Sequence, residues 1–223
     1  AIGRLCHAHG ALFAVDAAQS AGVLDINMEE MQIDALAVPG HKGLYGPMGV
    51  GMLLLGKGIR PDTLLEGGNG LDSLSGGMGD DLPERYEPGT LPLPAIAGLR
   101  AGIEFVRRVT QEAIREKETA LGVFLRDALT EVPGVHVAVP HLAGGTVLFR
   151  ADGVSSEDIA ARLDAAGSGI CVRPGFHCAA LAHRTLGTPE GGAVRASFGW
   201  FNTRRDAEQL IQSLRGGLPG RNG

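Results

Sequence analysis

Three residues in this sequence combine a reactive side chain with a setting just past a predicted strand. The first is Asp16, in Val15-Asp16-Ala17-Ala18-Gln19-Ser20. An aspartate there is ordinarily a turn residue or a helix N-cap. Its functional reading is a carboxylate held against a protonated ring nitrogen, which keeps a bound heterocycle cationic and a better electron sink. The second is Lys42, in Pro39-Gly40-His41-Lys42-Gly43-Leu44-Tyr45-Gly46-Pro47. A glycine-flanked lysine can be a surface turn. An amine that forms a Schiff base needs the same setting, with mobile backbone and partial burial to lower its pKa. His41 beside it is either a packing residue or a donor to a phosphate. The third is Cys178, in Val172-Arg173-Pro174-Gly175-Phe176-His177-Cys178-Ala179. A lone cysteine is usually a small buried hydrophobe. Here His177 is adjacent and Arg173 precedes it on a Gly-Pro loop, and positive charge favours the reactive thiolate. Primary amines are scarce, since Lys57 and Lys117 are the only other lysines.

Such loops need elements to place them. The first stretch alternates strand and helix signals, the pattern of an α/β layer. Ala1 to His9 reads as the tail of a helix stopped at Gly10. Strands are predicted over Leu12–Val15, Ala35–Val38 and Gly49–Leu55, and the first two carry Asp16 and Lys42 at their ends, where parallel-sheet enzymes place ligand groups. Leu65 to Pro88 reads as a long loop. From Pro94 to Leu129 apolar residues recur at helical spacing (Ile96, Leu99, Ile103, Val106, Ile114, Leu121, Phe124, Leu125, Leu129), giving one long helix or two broken near Val109–Thr110. Strands follow at Val135–Val139, Thr146–Phe149, Gly169–Val172 and Val194–Phe198. Helices are predicted over Ser155–Ala166, with Ser155 and Asp158 as a capping box, and over Arg204–Leu214. Gly216–Gly223 reads as a frayed tail. The expected organisation is a larger unit over residues 1–110, with the bridging helix from about 94, and a small α+β domain over 111–223. Because the chain opens mid-unit, an N-terminal portion is expected to precede it.

Composition narrows the function. The 223 residues carry a net charge of −5, with 44% hydrophobic and 20% charged residues, ordinary values for a globular protein with one or two cores. Acids and bases are interspersed without the basic stripe that a nucleic-acid backbone requires. The longest apolar run, Val50 to Leu55, is too short to span a bilayer, and no export signal opens the chain. Three widely spaced cysteines, Cys6, Cys171 and Cys178, do not make a disulfide framework, so a reducing cytoplasm is the expected setting. Cys171, Cys178, His177 and His183 match no zinc-ligand spacing. Cys6, His7 and His9 lie on a predicted surface helix. Gly67-Gly68-Asn69-Gly70 lacks the Gly-Lys-Ser/Thr of a P-loop.

Taken in order, Asp16-Ala17-Ala18-Gln19, Gly40-His41-Lys42, Tyr45-Gly46-Pro47 and Glu87-Pro88-Gly89-Thr90 resemble the class V aminotransferase-fold enzymes. Arg173-x-Gly175-x-His177-Cys178-Ala179 resembles the catalytic-cysteine loop of group II cysteine desulfurases and selenocysteine lyases. Val194-Arg195-Ala196-Ser197 with Phe201-Asn202-Thr203 is similar to their substrate-carboxylate segment. The resemblance implies the pyridoxal-phosphate-dependent transferase fold (fold type I): part of a large α/β domain plus a small C-terminal α+β domain. It implies pyridoxal 5′-phosphate as cofactor, L-cysteine as substrate, L-alanine and a Cys178 persulfide as products, a homodimer, and a sulfur-acceptor protein. Carried over by position, Lys42 forms the Schiff base and moves the Cα proton, Asp16 pairs with the pyridine nitrogen and Gln19 contacts O3′. His41 helps hold the phosphate, and Thr90 reaches the phosphate of the other subunit's cofactor. Arg195 clamps the substrate carboxylate with Arg173 nearby, and Cys178 is the nucleophile with His177 beside it. Pro39 departs from the pattern, standing where well-studied members often carry a phosphate-binding serine. The alternatives are selenocysteine lyase activity, a class V aminotransferase acting without a cysteine nucleophile, and a non-catalytic fragment serving as a folding or interaction module.

Overall fold

The computed structural model describes residues 1–70, 77–139, 144–165, 169–188 and 191–216. They form two compact units, Ala1–Gln111 and Glu112–Gly223. The predicted tail beyond Gly216, Ala166 at the end of a predicted helix, and part of the Leu65–Pro88 loop lie outside the described residues.

In the first unit α1 (Ile2–Ala8) leads into β1 (Ala14–Asp16), β2 (Ala35–Pro39) and β3 (Gly51–Leu55). β1 runs parallel to β2 with Asp16 opposite Ala37, and β2 pairs antiparallel with β3. The sheet is therefore mixed, and the β1–β2 crossover is made of turns where helix signals had been expected. Asp34 organises the entry to β2. Its Oδ2 accepts the Phe13 N–H at 2.7 Å and lies 2.9 Å from His7 Nε2, which ties α1 to the sheet. The Phe13 hydrogen bond, helped by His7, holds the Asp34 carboxyl below its ordinary range. A small core of Ala17, Ile33, Leu36 and Val38 lies under the sheet.

The long helical run is two helices, α2 (Leu93–Val109) and α3 (Gln111–Thr130). The break is Thr110, at φ 78° and ψ 141°, a backbone state that a residue with a β-carbon rarely adopts.

In the second unit α3 is followed by β4 (Val135–Val137), β5 (Thr146–Ala151), α4 (Ser156–Ala165), α5 (Ala180–Leu186), β6 (Val194–Ser197) and α6 (Arg204–Arg215). The sheet is antiparallel in the order β4-β5-β6. Alternation on β5 buries Val147, Phe149 and Ala151 against Leu125 and Leu129 of α3, Ile159 and Leu163 of α4, and Leu210 and Leu214 of α6. Ser155 caps α4, its Oγ accepting the Asp158 N–H at 3.0 Å. Thr203 and Asp206 form a full capping box on α6. The predicted strand at Gly169–Val172 is not a strand. Only Arg173 bridges to β6, opposite Arg195. The short α5 was not anticipated.

Candidate active site

Asp16 ends β1, and the Lys42 loop leaves the neighbouring end of the parallel strand β2. Asp16 is exposed, and its Oδ1 accepts the Ala18 N–H at 2.8 Å in a tight turn. Its other carboxylate oxygen has no partner among the described residues. Gln19 and His41 are exposed in the same two loops, as is Thr90 just before α2. The Lys42 loop is closed by its own peptides: Gly46 N–H donates to Gly40 O at 2.8 Å and Tyr45 N–H to Lys42 O at 2.9 Å. The Tyr45 ring meets Phe105 of α2 edge-on at 5.2 Å. Lys42 itself is exposed, and its amine makes no hydrogen bond or ion pair among the described residues. The partial burial expected for such a lysine is not supplied by its own unit, because the loop stands off the end of the sheet.

Two close approaches hold these loops. Gly22, at φ 79°, lies against Gly43: a β-carbon on Gly22 would sit 2.1 Å from Gly43 O, and one on Gly43 would sit 2.4 Å from Ala21 O. The Asp16 loop and the Lys42 loop thus touch through peptide groups. From below, Gly102 of α2 lets the helix reach the loop, since a β-carbon there would lie 2.3 Å from Leu44 O, 2.8 Å from Tyr45 C and 2.9 Å from Gly46 N.

In the second unit Arg173 and Arg195 exchange backbone hydrogen bonds, N–H to O, at 3.0 and 2.8 Å. Cys178 is exposed, at φ 62°, and follows His177 at φ 55°. Two consecutive non-glycine residues in the left-handed region cost about 1–2 kcal/mol each, so the surroundings must impose the turn. Ala179 N–H donates to Phe176 O at 2.8 Å, and Gly175 N–H to Ser156 Oγ at 3.2 Å, while Ser156 Oγ–H donates to Gly191 O at 2.9 Å. Ser156 is buried, and the sequence reading did not find it; a serine beside a helix cap gives no other signal.

The His177 ring is held at both nitrogens, with Nε2 2.8 Å from Arg173 O and Nδ1 3.2 Å from His183 Nε2. Burial first, then the Arg195 charge and the neighbouring His183, hold His177 below its ordinary pKa against the opposing pull of the Arg173 carbonyl. Both ring nitrogens thus face partners other than the Cys178 thiol. Arg195 is half-buried, and its Nε is a buried donor with no partner among the described residues, as a clamp for an anion would be. The Arg173 side chain is exposed. Among the described residues no group of three His, Cys, Asp or Glu side chains is arranged to hold a metal ion, and no helix is long and apolar enough to cross a membrane.

The family model for class V aminotransferases matches residues 1–210. The chain belongs to the class V aminotransferase family. A probable cysteine desulfurase of Methanothermobacter thermautotrophicus is 35% identical over 219 residues, covering 96% of this chain and 54% of that protein. The solved apo structure of a cysteine desulfurase from Thermococcus onnurineus is similar at a TM-score of 0.83 and 33% identity, over 96% of this chain and 54% of that one. An Escherichia coli cysteine desulfurase, solved in an S-sulfonic acid form, matches at a TM-score of 0.83 and 28% identity, over 95% and 52% of the two chains. The chain therefore spans about half the length of the curated relatives it matches. The fold is that of class V aminotransferases, the pyridoxal-phosphate-dependent fold type I, and enzymes of this family depend in general on pyridoxal phosphate.

Proposed function

We propose that this class V family member is a pyridoxal-phosphate-dependent cysteine desulfurase, converting L-cysteine to L-alanine and leaving a persulfide on Cys178. The observation that carries the reading is the Cys178 turn: an exposed thiol in an imposed left-handed turn, on a loop bridged to Arg195, whose buried Nε lacks a partner among the described residues. An aminotransferase has no use for such a thiol. The loops of the first unit fit the cofactor's chemistry. A free amine at Lys42 and a carboxylate at Asp16 with one oxygen unengaged stand at adjacent strand ends, with Gln19 and His41 beside them. Residues 1–110 are then the C-terminal part of the cofactor-binding domain, and 111–223 the small domain.

Pyridoxal phosphate, when bound, supplies an electron sink that acidifies the substrate Cα–H. Asp16 keeps the proton on the ring nitrogen that gives the sink its strength, while Gln19 and His41 orient O3′ and the phosphate. Thr90 serves the phosphate of a second subunit, which makes the working form a homodimer. Arg195 pairs with the substrate carboxylate through its planar fork. Lys42 accepts the Cα proton and returns one later. The Cys178 thiolate attacks the substrate sulfur, and the carbon–sulfur bond breaks with its electron pair going to carbon. That carbon is protonated and leaves as alanine, while the sulfur stays on Cys178 until a sulfur-acceptor protein takes it, as iron–sulfur cluster assembly requires. Three free cysteines suit a cytoplasmic setting.

The test uses the protein supplied with pyridoxal phosphate. Borohydride reduction should fix pyridoxal on Lys42, and Lys42→Ala should abolish both that adduct and turnover. With L-cysteine, mass analysis should find one added sulfur on Cys178. Cys178→Ser should bind the substrate yet carry no sulfur and form no alanine. Alanine at the normal rate from Cys178→Ser would exclude this mechanism, and transamination by that variant would favour the aminotransferase reading.

A further inference from the structure

Outside the residues assigned above, the second unit holds a buried histidine that the mechanism does not use. His183 is 3% exposed on the short helix α5. Its Nε2 faces His177 Nδ1 at 3.2 Å, its Nδ1 faces Thr188 Oγ1 at 2.8 Å, and the Phe176 ring packs edge-on against it at 5.4 Å. Donor rules give this row of groups a direction. The Arg173 carbonyl can only accept, so His177 Nε2 carries a proton. In the neutral ring Nδ1 is then an acceptor, and His183 Nε2 lies 3.2 Å from it, within reach to donate. His183 Nδ1 then accepts from the Thr188 hydroxyl at 2.8 Å, in place of that hydroxyl's other acceptor, the His183 carbonyl at 3.2 Å. The Arg173 oxygen that receives His177 also accepts the Arg195 N–H at 2.8 Å. One uninterrupted row therefore runs from Thr188 through His183 and His177 to the backbone of the arginine strand, and Cys178 is the residue next to its middle member.

We propose that His183 is the positioning residue of the nucleophile: by donating to His177 Nδ1 it locks that ring in one tautomer and orientation, and so holds Cys178 in its left-handed turn beside Arg195. The proposal rests on the reading of Cys178 as the nucleophile. His183 touches no reacting atom and acts only through His177. The lowered pKa of His177 is in keeping with it, since a neutral ring is what the row requires. The groups facing His177 are the Arg173 and Ala193 backbone, His183 and the Arg195 charge.

The experiment compares wild type, His183→Phe, His183→Gln and Thr188→Val. Phe keeps a ring of similar shape and packing but no donor; Gln returns a donor near the Nε2 position; Val removes the last hydroxyl at constant shape. Two readouts are independent of catalysis: the nitrogen shifts of the His177 ring, which report its tautomer, and hydrogen exchange at the Ala179 and Arg195 amides. Wild type should show a single Nε2–H tautomer. His183→Phe should lose that uniqueness and speed both amides by about fivefold to tenfold, the effect of one buried hydrogen bond. His183→Gln should restore both readouts to within about twofold, and Thr188→Val should fall between. In the protein loaded with pyridoxal phosphate, sulfur transfer to Cys178 should slow about tenfold in His183→Phe and recover in His183→Gln, by the same hydrogen bond. Unchanged tautomer and exchange in His183→Phe would overturn the proposal, as would altered exchange with undiminished sulfur transfer or failure of Gln to rescue. If wild type itself puts no sulfur on Cys178, the functional reading fails, and tautomer and exchange still decide whether the row holds the turn.

Discussion

Substituting alanine for Gly102 sets two physical effects against each other at the back of the Lys42 loop. Gly102 lies inside α2, where alanine is favoured over glycine by about 1 kcal/mol, so helix propensity alone forecasts stabilisation. The added methyl group, however, would lie 2.3, 2.8 and 2.9 Å from three atoms of the Leu44–Gly46 backbone. Overpacking costs about 1–3 kcal/mol. The upper half of that range applies, because peptide atoms have no rotamer through which to withdraw. The net expectation is a loss of about 1–2 kcal/mol, concentrated in the loop that carries Lys42, which corresponds to about fivefold to thirtyfold in a local opening equilibrium. Hydrogen exchange read by mass spectrometry on the peptide spanning Gly40 to Pro47 is the assay, since the Tyr45 and Gly46 amides are hydrogen-bonded inside that loop. Ala101→Gly, at the exposed neighbouring position, is the control. It should cost α2 about 1 kcal/mol by propensity without preferentially exposing the loop. If Gly102→Ala leaves loop exchange unchanged or slows it, the close-approach argument is wrong and propensity governs.

Further outcomes concern the second unit, whose unfolding Trp200, the single tryptophan, reports. Thr203→Ala removes the hydroxyl half of the α6 capping box and should lower stability by about 1 kcal/mol; an unchanged urea midpoint would show that the cap is idle. His177 resists protonation in the folded state, so below its ordinary value of about 6.5 the unfolded chain binds the proton more readily. Stability contributed at this site is intact above that pH and is lost as pH falls toward the lowered folded value. Between pH 7 and 5 the urea midpoint should therefore drop more in wild type than in His177→Gln, and parallel curves would refute the assignment. Asp206, held low chiefly by the Thr203 N–H, behaves in the opposite chemical sense. Its contribution is present above about 3.8, the ordinary aspartate range, and is lost as pH falls through its depressed value. Asp206→Asn should flatten that acid limb.

Much of the fold was legible because its elements are long or sharply punctuated. The α2–α3 stripe was visible from Ile96 to Leu129, including the break beside Thr110. The α6 boundaries were read within one residue, and the Thr203–Asp206 capping box that fixes its start emerged only with the structure. What escaped was short or depended on distant partners. β1 starts two residues later than predicted and ends one later, because Leu12 is apolar yet exposed. The segment Gly169–Val172 has strand composition, but only Arg173 finds a partner. Helix α5 spans seven residues, too few to display a period. Asp16, Lys42 and Cys178 stood out through residue type and loop setting. Ser156 and Thr188 did not, and His183 was weighed only as a metal ligand, because a buried polar residue is recognisable only once its partners are placed.

The contact of Gly22 with Gly43 has a consequence for how this protein tolerates substitution. A core side chain comes in many sizes, and a neighbour can shrink when another grows. A peptide group comes in one size. The separation between the carboxylate-bearing and amine-bearing loops is therefore set by a spacer that drift in the surrounding core cannot lengthen or shorten. The first methyl group placed at Gly22, by contrast, must open the gap from 2.1 Å to at least an ordinary contact near 3.4 Å. A saturation scan should accordingly divide this region into two classes: residues such as Val23 and Leu44 that accept several side chains with graded effect, and two glycines at which every replacement fails alike.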